Sequence, residues 1–382
     1  MVRSTADILE IPASREALSL LSIDRSLSEL RRGRFVAVRG TNGAACLAQA
    51  VEGVTPESLK NLTLSAGSAA LLSITARRAC VLNLARPKGQ IFTLGTVPDL
   101  TAEVALQLAD PLQNADITSL NVEGRETGLY DSESAAVTLT KLARLLPAAL
   151  TAPITVNSAD DLAAWAARHD LMLIDAGDVF QYQKTAARTL RRVSAAKVPL
   201  KGAEKTNVIA FRPRDGGLEH LAIVVGEPKA DKPVLTRIHS ECFTGDLLGS
   251  LRCDCGDQLR GAIKEISQIG EGVLLYLAQE GRGIGLVNKL RAYELQDQGL
   301  DTIDANEQLG FDADERIYLP AAQMLRLLGF NSIRLMTNNP IKFEALVACG
   351  VTVEELVPHA FPSNKHNEKY LKTKANRSGH MM

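Results

Sequence analysis

Residues 273–298 read VLLYLAQEGRGIGLVNKLRAYELQDQ, and the change of rhythm inside this stretch sets the fold class. Val273–Leu277 is an unbroken apolar run, the pattern of a strand buried on both faces. A glycine-rich turn follows, and residues 286–298 then read as a helix. Strand, turn and helix in immediate succession make one unit of an α/β chain.

The alternation continues on both sides. Residues 221–225 and 234–239 read as strands, and 256–269 as an amphipathic helix on Leu259, Ile263 and Ile266. Beyond the opening stretch come a helix over 321–328, a strand over 332–336, a helix over 340–348 and a strand over 351–356. Pro340 suits a first helical position, with its fixed φ and missing N–H. The expected fold class is α/β with mixed sheets.

The chain has 382 residues, which points to two domains. Residues 184–207, KTAARTLRRVSAAKVPLKGAEKTN, are basic, poor in large apolar side chains and broken by Pro199 and Gly202. We therefore expect domains at 1–190 and 207–382 with a linker at 191–206; a solvated helix inside a single domain is the alternative reading. In the first half, a helix ending near Arg32 and a strand over 34–39 are expected. Residues 132–148 have Val137, Leu139, Leu142, Leu145 and Leu146 at helical spacing, with Ser132 and Ser134 as caps. Residues 154–178 read strand, helix, strand.

Hydrophobic residues make up 46% of the chain and aromatic ones only 4%, so its cores must be built from aliphatic side chains. A net charge of −1 argues against a general nucleic-acid or membrane-surface binder, so an anionic substrate needs local cations. The start, MVRSTADILEIPASREALSL, has no signal-peptide pattern, and no apolar run reaches the roughly 18 residues of a membrane span. A cytoplasmic protein is expected. The tail NKHNEKYLKTKANRSGHMM carries Lys365, Lys369, Lys372, Lys374 and Arg377 and reads as solvated.

Three of the six cysteines fall in one segment, RIHSECFTGDLLGSLRCDCGDQL at 237–259, while Cys46, Cys80 and Cys349 are scattered. Cys242, Cys253 and Cys255 have the spacing C-x10-C-x-C, which is neither a finger nor a redox CxxC. Three thiolates leave one tetrahedral position open, the arithmetic of a catalytic zinc. Three buried structural thiols are the alternative, but the charged, glycine-punctuated surroundings make a poor core. His239 as a fourth ligand would close the site.

Two further segments suit an anion. EGRGIGL (280–286) follows a strand and opens a helix, where backbone N–H groups and Arg282 can meet phosphate. MTNNPIK (336–342) runs from a strand end into a helix start, offering Thr337 and Lys342. Between them, LGFDADERIY (309–318) carries Asp314 and Arg316, an acid and a cation two residues apart that can share one cleft from an extended segment.

Together, HSECFTGDLLGSLRCDCGDQL, QEGRGIGLVNKLRAYELQDQGLDTIDAN, LGFDADER and LMTNNPIK resemble GTP cyclohydrolase II over most of residues 234–358. The resemblance implies zinc on Cys242, Cys253 and Cys255, Asp314 as proton acceptor, and Arg316 acting at the α-phosphate. Tyr293 would orient the attacking water. Arg237, Ile238, His239, Ser240, Glu241, Gln258, Glu280, Gly281, Arg282, Thr302, Thr337 and Lys342 would line the nucleotide site. The implied reaction takes GTP and water to formate, pyrophosphate and 2,5-diamino-6-ribosylamino-4(3H)-pyrimidinone 5′-phosphate, the entry to riboflavin synthesis. Magnesium would accompany the triphosphate, with Glu280 among its oxygen donors, and a homodimer is implied. The sequence departs from the family pattern at Ala278, Glu307 and Ile317, which leaves open a cyclohydrolase acting on another nucleotide or a non-catalytic nucleotide-binding regulator.

The first half is similar to a worn 3,4-dihydroxy-2-butanone 4-phosphate synthase. Residues 40–45, GTNGAA, stand where that family has an acidic run, and Ser132, Glu133 and Ser134 stand where it has His-Thr-Glu. A magnesium site without those ligands should not form, so no synthase activity is expected and a dimerisation or stability role is implied.

Overall fold

The computed structural model describes residues 15–84, 88–95, 100–113, 123–155 and 161–359. The basic tail and most of the N-terminal stretch read above lie outside them. The chain divides into two compact units, Met1–Thr185 and Ala186–Met382. Among the described residues no helix is long and apolar enough to cross a membrane.

The first unit runs α1 (Arg15–Arg31), β1 (Val36–Arg39), β2 (Ala45–Ala50), α2 (Pro56–Ala66), β3 (Leu71–Thr75), α3 (Ala76–Val81), β4 (Ile91–Leu94) and α4 (Ala102–Ala109). It continues with β5 (Gly124–Glu126), α5 (Ser132–Leu142), β6 (Ala148–Pro153), α6 (Leu162–Arg168), β7 (Met172–Asp175) and α7 (Ala176–Arg188), whose last turn enters the second unit. The strands form one sheet in the order β5-β4-β3-β6-β2-β1-β7. Val36, Val38, Cys46 and Ala48 meet Ile23, Leu27 and Leu30 of α1 and Ala135, Val137 and Leu139 of α5 in its core. The two serines expected as caps sit inside the first turn of α5, because the helix begins at Ser132 and Asp131 takes the cap position. Ser132 donates instead to Glu133, and Ser134 to the Gly128 carbonyl.

The second unit holds β8 (Arg191–Lys197), β9 (Thr206–Arg212), β10 (His220–Val225), β11 (Val234–Ser240), α8 (Cys255–Ile269) and β12 (Gly272–Leu277). Then come α9 (Leu286–Asp297), α10 (Thr302–Gln308), α11 (Leu319–Leu328), β13 (Ser332–Met336), α12 (Pro340–Ala348) and β14 (Thr352–Val357). Its sheet has the order β14-β13-β11-β12-β10-β9-β8. The first four of these strands pair in parallel and the rest antiparallel, so the sheet is mixed. The segment expected as a linker, 191–206, contains β8, an edge strand paired to β9. All seven residues of β8 are exposed, so no apolar alternation marks it in the sequence.

Strand β12 shows why VLLYL is continuous. Val273, Leu275 and Leu277 face one core with Ala321, Met324 and Leu325 of α11. Leu274 faces the opposite core with Ala262 and Ile266 of α8. Helices cover both faces, so both sets of alternating side chains must be apolar. The carboxyl ends of parallel β11, β12 and β13 then open together, where a crevice forms in α/β sheets.

Candidate active site

The ends of those three strands deliver the chemistry. Ser240, Glu241 and Cys242 leave β11, Gln279 to Arg282 leave β12, and Thr337 to Lys342 leave β13. All of these but Gln279, Pro340 and Ile341 line a cavity of about 340 Å³, within the range of small-molecule sites. Six cations border it, Arg237, Arg252, Arg282, Lys289, Arg316 and Lys342, against three carboxylates, Glu241, Asp254 and Glu280. Cations thus outnumber carboxylates two to one around this cavity.

Cys242, Cys253 and Cys255 bring their sulfurs within 4.8 Å of one another, forming a metal-competent cluster among the described residues. Cys242 and Cys253 Sγ are 3.7 Å apart. That is far beyond a disulfide, and it matches the roughly 3.8 Å between two sulfurs each about 2.3 Å from a tetrahedral ion. The loop reaches this geometry through a π-turn over Phe243–Leu247. A Cβ on Gly245 would stand 2.8 Å from Cys253 Sγ and 3.0 Å from Cys242 Sγ, so the cradle requires glycine. Hydrogen bonds from Cys253 and Cys255, aided by Lys289, hold the Cys242 thiol well below its usual range despite burial. The same contacts push Cys255 up and Cys253 to about 11.

His239 does not join the cluster. Its Nε2 lies 3.1 Å from Asp246 and its ring stacks on Tyr276 at 5.6 Å. Asp246 also accepts from the Tyr276 hydroxyl and from the Cys242 amide. A histidine spent on Asp246 leaves the three-sulfur set open.

The glycine turn differs from a simple helix start. Gly281 and Arg282 both have left-handed backbones, with φ of 63° and 60°, an uncommon conformation for arginine. The turn is stitched to the segment after α10: Glu315 N donates to Arg282 O at 3.0 Å, and Arg282 Nη1 donates to Ala313 O at 3.2 Å. A Cβ on Gly283 would meet the Glu315 backbone at 3.0 Å. This contact brings Arg316 to the cavity, with Nη1 3.5 Å from Ser240 Oγ.

Of the expected catalytic groups, Arg316 and Tyr293 line the cavity, while Asp314 stands behind Arg316 as its ion-pair partner. Tyr293 lies 3.5 Å from Thr244 Oγ1 under the Arg252 guanidinium, and burial pushes its hydroxyl to about 12. Among the expected nucleotide residues, Arg237, His239, Ser240, Glu241, Gln258, Glu280, Gly281, Arg282, Thr302, Thr337 and Lys342 all line the cavity. Ile238 does not: its side chain alternates into the core, and only its carbonyl, 3.0 Å from Lys342 Nζ, faces this network. Glu280, expected to offer oxygens to magnesium, uses both within the protein, on the amides of Phe243 and Gly281 and on Lys289.

Arg237 is fully buried. Nη1 donates to Met336 O at 2.8 Å and Nη2 to Gln258 Oε1 at 2.7 Å, while Nε has no protein partner. Burial lowers its guanidinium to about 10, so it remains charged at neutral pH. Lys289, Asp246, Arg252, Asn306, Asn339 and His359 also build the site or its walls and were not singled out from sequence. Asn339 carried the one readable local signal, an Asn-Pro helix start whose side chain accepts from Ile341 N.

Comparison with known proteins places this architecture. Residues 191–358 match the family model of GTP cyclohydrolase II. A GTP cyclohydrolase-2 of Azospirillum brasilense is 56% identical over 366 residues, covering 95% of this chain and 94% of that one. The riboflavin biosynthesis protein RibBA of Phocaeicola vulgatus is 35% identical over 403 residues, covering 96% and 99%. A solved two-domain 3,4-dihydroxy-2-butanone 4-phosphate synthase from A. baumannii covers 89% of this chain and 99% of its own at 18% identity. Its TM-score of 0.35 is too low to assign a role. With so close a relative spanning nearly its whole length, this chain is an enzyme of the GTP cyclohydrolase II family.

Proposed function

We propose that the chain opens the imidazole ring of GTP by hydrolysis, with zinc on Cys242, Cys253 and Cys255, and releases formate and pyrophosphate. The product is 2,5-diamino-6-ribosylamino-4(3H)-pyrimidinone 5′-phosphate, which feeds riboflavin synthesis. One observation carries the reading: a three-thiol cluster whose sulfurs lie within 4.8 Å of one another opens onto a cavity bordered by six cations. Bound zinc supplies Lewis acidity and an activated water for attack at C8.

The chain's own groups do the rest. Arg282 and Arg316 meet the phosphates and stabilise the charge that develops as pyrophosphate leaves. Asp314 fixes the Arg316 guanidinium and, from behind it, takes a proton through a bridging water as the ring opens. Tyr293 holds its hydroxyl at the cavity wall beside the cluster. Thr337 and Lys342 close the other end of the nucleotide site. With both Glu280 oxygens committed within the protein, that carboxylate would not be a ready ligand for magnesium, which would help to neutralise the triphosphate.

The N-terminal unit is proposed to lack synthase activity. Its Gly40–Ala45 turn offers no carboxylate, and Ser132 and Glu133 bond to each other.

The test incubates zinc-loaded protein with GTP and magnesium and follows formate, pyrophosphate and the pyrimidine by mass spectrometry, beside Cys253→Ser. Formate and pyrophosphate from wild type alone support the proposal. Absence of formate from protein with measured zinc rejects GTP as substrate, and a nucleotide panel then identifies the alternative.

A further inference from the structure

Lys289 lies in the first turn of α9 and is buried beside the thiol cluster. Its ammonium nitrogen is 3.1 Å from Cys242 Sγ, 3.0 Å from Thr244 Oγ1 and 2.9 Å from Glu280 Oε1. Those three partners match the three N–H donors of an ammonium group. None is then left for substrate, although Lys289 belongs to the ring of cations around the cavity.

The three partners lie on two separate loops. Cys242 and Thr244 belong to the turn that leaves β11, and Glu280 opens the glycine turn that leaves β12. Glu280 answers from its own side: Oε2 accepts from Phe243 N at 2.6 Å and Oε1 from Gly281 N at 2.8 Å. Lysine and glutamate together clamp one turn to the other. Thr244, held by Lys289, also stands 3.5 Å from the Tyr293 hydroxyl. One buried cation thus ties a cysteine of the cluster, the tyrosine and the phosphate-facing turn into a single network.

We propose that Lys289 is a positioning residue for the metal centre, fixing the Cys242 sulfur by a charge-assisted N–H···S contact and tying it to the glycine turn through Glu280. The inference rests on the three cysteines being metal ligands. The Lys289 charge is already matched by Glu280, 2.9 Å away, so the ammonium supplies orientation to the site and not net charge. Supporting contacts of this kind, from a buried group to a metal-ligating atom, set ligand orientation and metal affinity.

The experiment uses the full-length chain loaded with cobalt(II). Wild type, Lys289→Met, Lys289→Arg and Cys253→Ser are compared by thiolate-to-cobalt charge-transfer absorption, by the rate of metal transfer to 4-(2-pyridylazo)resorcinol, and by thermal unfolding. Lys289→Met is expected to shift the charge-transfer band and to release metal roughly 10–100-fold faster. Lys289→Arg should restore most of both signals. A double variant, Lys289→Met with Glu280→Gln, removes the stranded carboxylate charge, should show the same changes, and serves if the single variant does not fold. A folded Lys289→Met or double variant with wild-type spectrum and release rate overturns the role of Lys289. Absence of thiolate-to-cobalt absorption in wild type instead rejects the metal centre itself, so the two failures are separable.

Discussion

The carboxylate of Asp314 and the guanidinium of Arg316 form a bidentate ion pair across two residues of one extended segment. Nε lies 2.8 Å from Oδ1 and Nη2 bonds Oδ2, but only Arg316 borders the cavity. Burial raises the Asp314 carboxyl, while the hydrogen bonds and charge of Arg316 outweigh it and hold the group below its ordinary 3.8. Asp314 is therefore ionised at any ordinary assay pH. The wild-type pH–rate profile should show no acid limb from this group above that value. Asp314→Asn, which leaves Arg316 without its counter-charge, should lower kcat by roughly 10²–10⁴-fold. A limb near pH 6 that vanishes in Asp314→Asn would contradict the geometry.

Gly245 gives a test of the thiol cradle that spares the thiols. A Cβ there meets two of the three sulfurs and the Cβ of Cys255 at 3.0 Å or less, closer than side chains pack. Its backbone is not left-handed, so Gly245→Ala meets a steric obstacle and no conformational one. Zinc content measured by mass spectrometry should fall from about one per chain to well under half, with the first unit's fold unchanged by circular dichroism. Stoichiometric zinc in this variant would show that the loop can shift without cost.

What the sequence revealed here follows from how each signal is encoded. Strand β12 was legible because both of its faces are buried, and the cysteines were legible because their spacing is local. Strand β8 was not, because all its side chains are exposed and only backbone pairing holds it. The Ile238 side chain is turned from the cavity for a related reason: between Arg237 and His239 in the chain, it points to the opposite face of the sheet. Lys289 sits 47 residues from Cys242, and nothing in NKLRAY says that its lysine turns inward. Pairings across the sheet ends, such as His239 with Asp246, become visible only once β11 and its following turn are folded.

His239 should make the second unit sensitive to acid. Burial lowers its pKa from 6.5, and the nearby charges of Arg237 and Lys342 act the same way, against the opposing pull of Asp246. Above pH 6.5 the ring is neutral in both folded and unfolded chains. As pH falls below 6.5 the unfolded chain takes up a proton that the folded site resists, so stability is lost downward from that point. Urea midpoints at pH 7.5 and 5.5 should therefore diverge more for wild type than for His239→Gln. Equal divergence in the two proteins would mean that other groups carry the acid response.

His359 borders the cavity just past the end of β14, and its two ring nitrogens both face acceptors. Nε2 lies 3.1 Å from the Gln258 carbonyl and Nδ1 lies 3.3 Å from Glu265. Gln258 in turn holds Arg237 through its side-chain oxygen. The histidine lines the cavity, its backbone amide donates to Asn338 at 2.9 Å, and its ring steadies Gln258 and through it Arg237. A residue of that kind affects binding before chemistry. Replacing it by leucine removes about one hydrogen bond's worth of net stabilisation, of order 1 kcal/mol, which corresponds to a rise of about fivefold in KM for GTP. The rate at saturation should stay within about twofold, since the groups at the reacting carbon are untouched. Steady-state kinetics of His359→Leu decide the matter: a fall in kcat at constant KM would place His359 in the chemistry, and no change in either would leave Gln258 held by α8 alone.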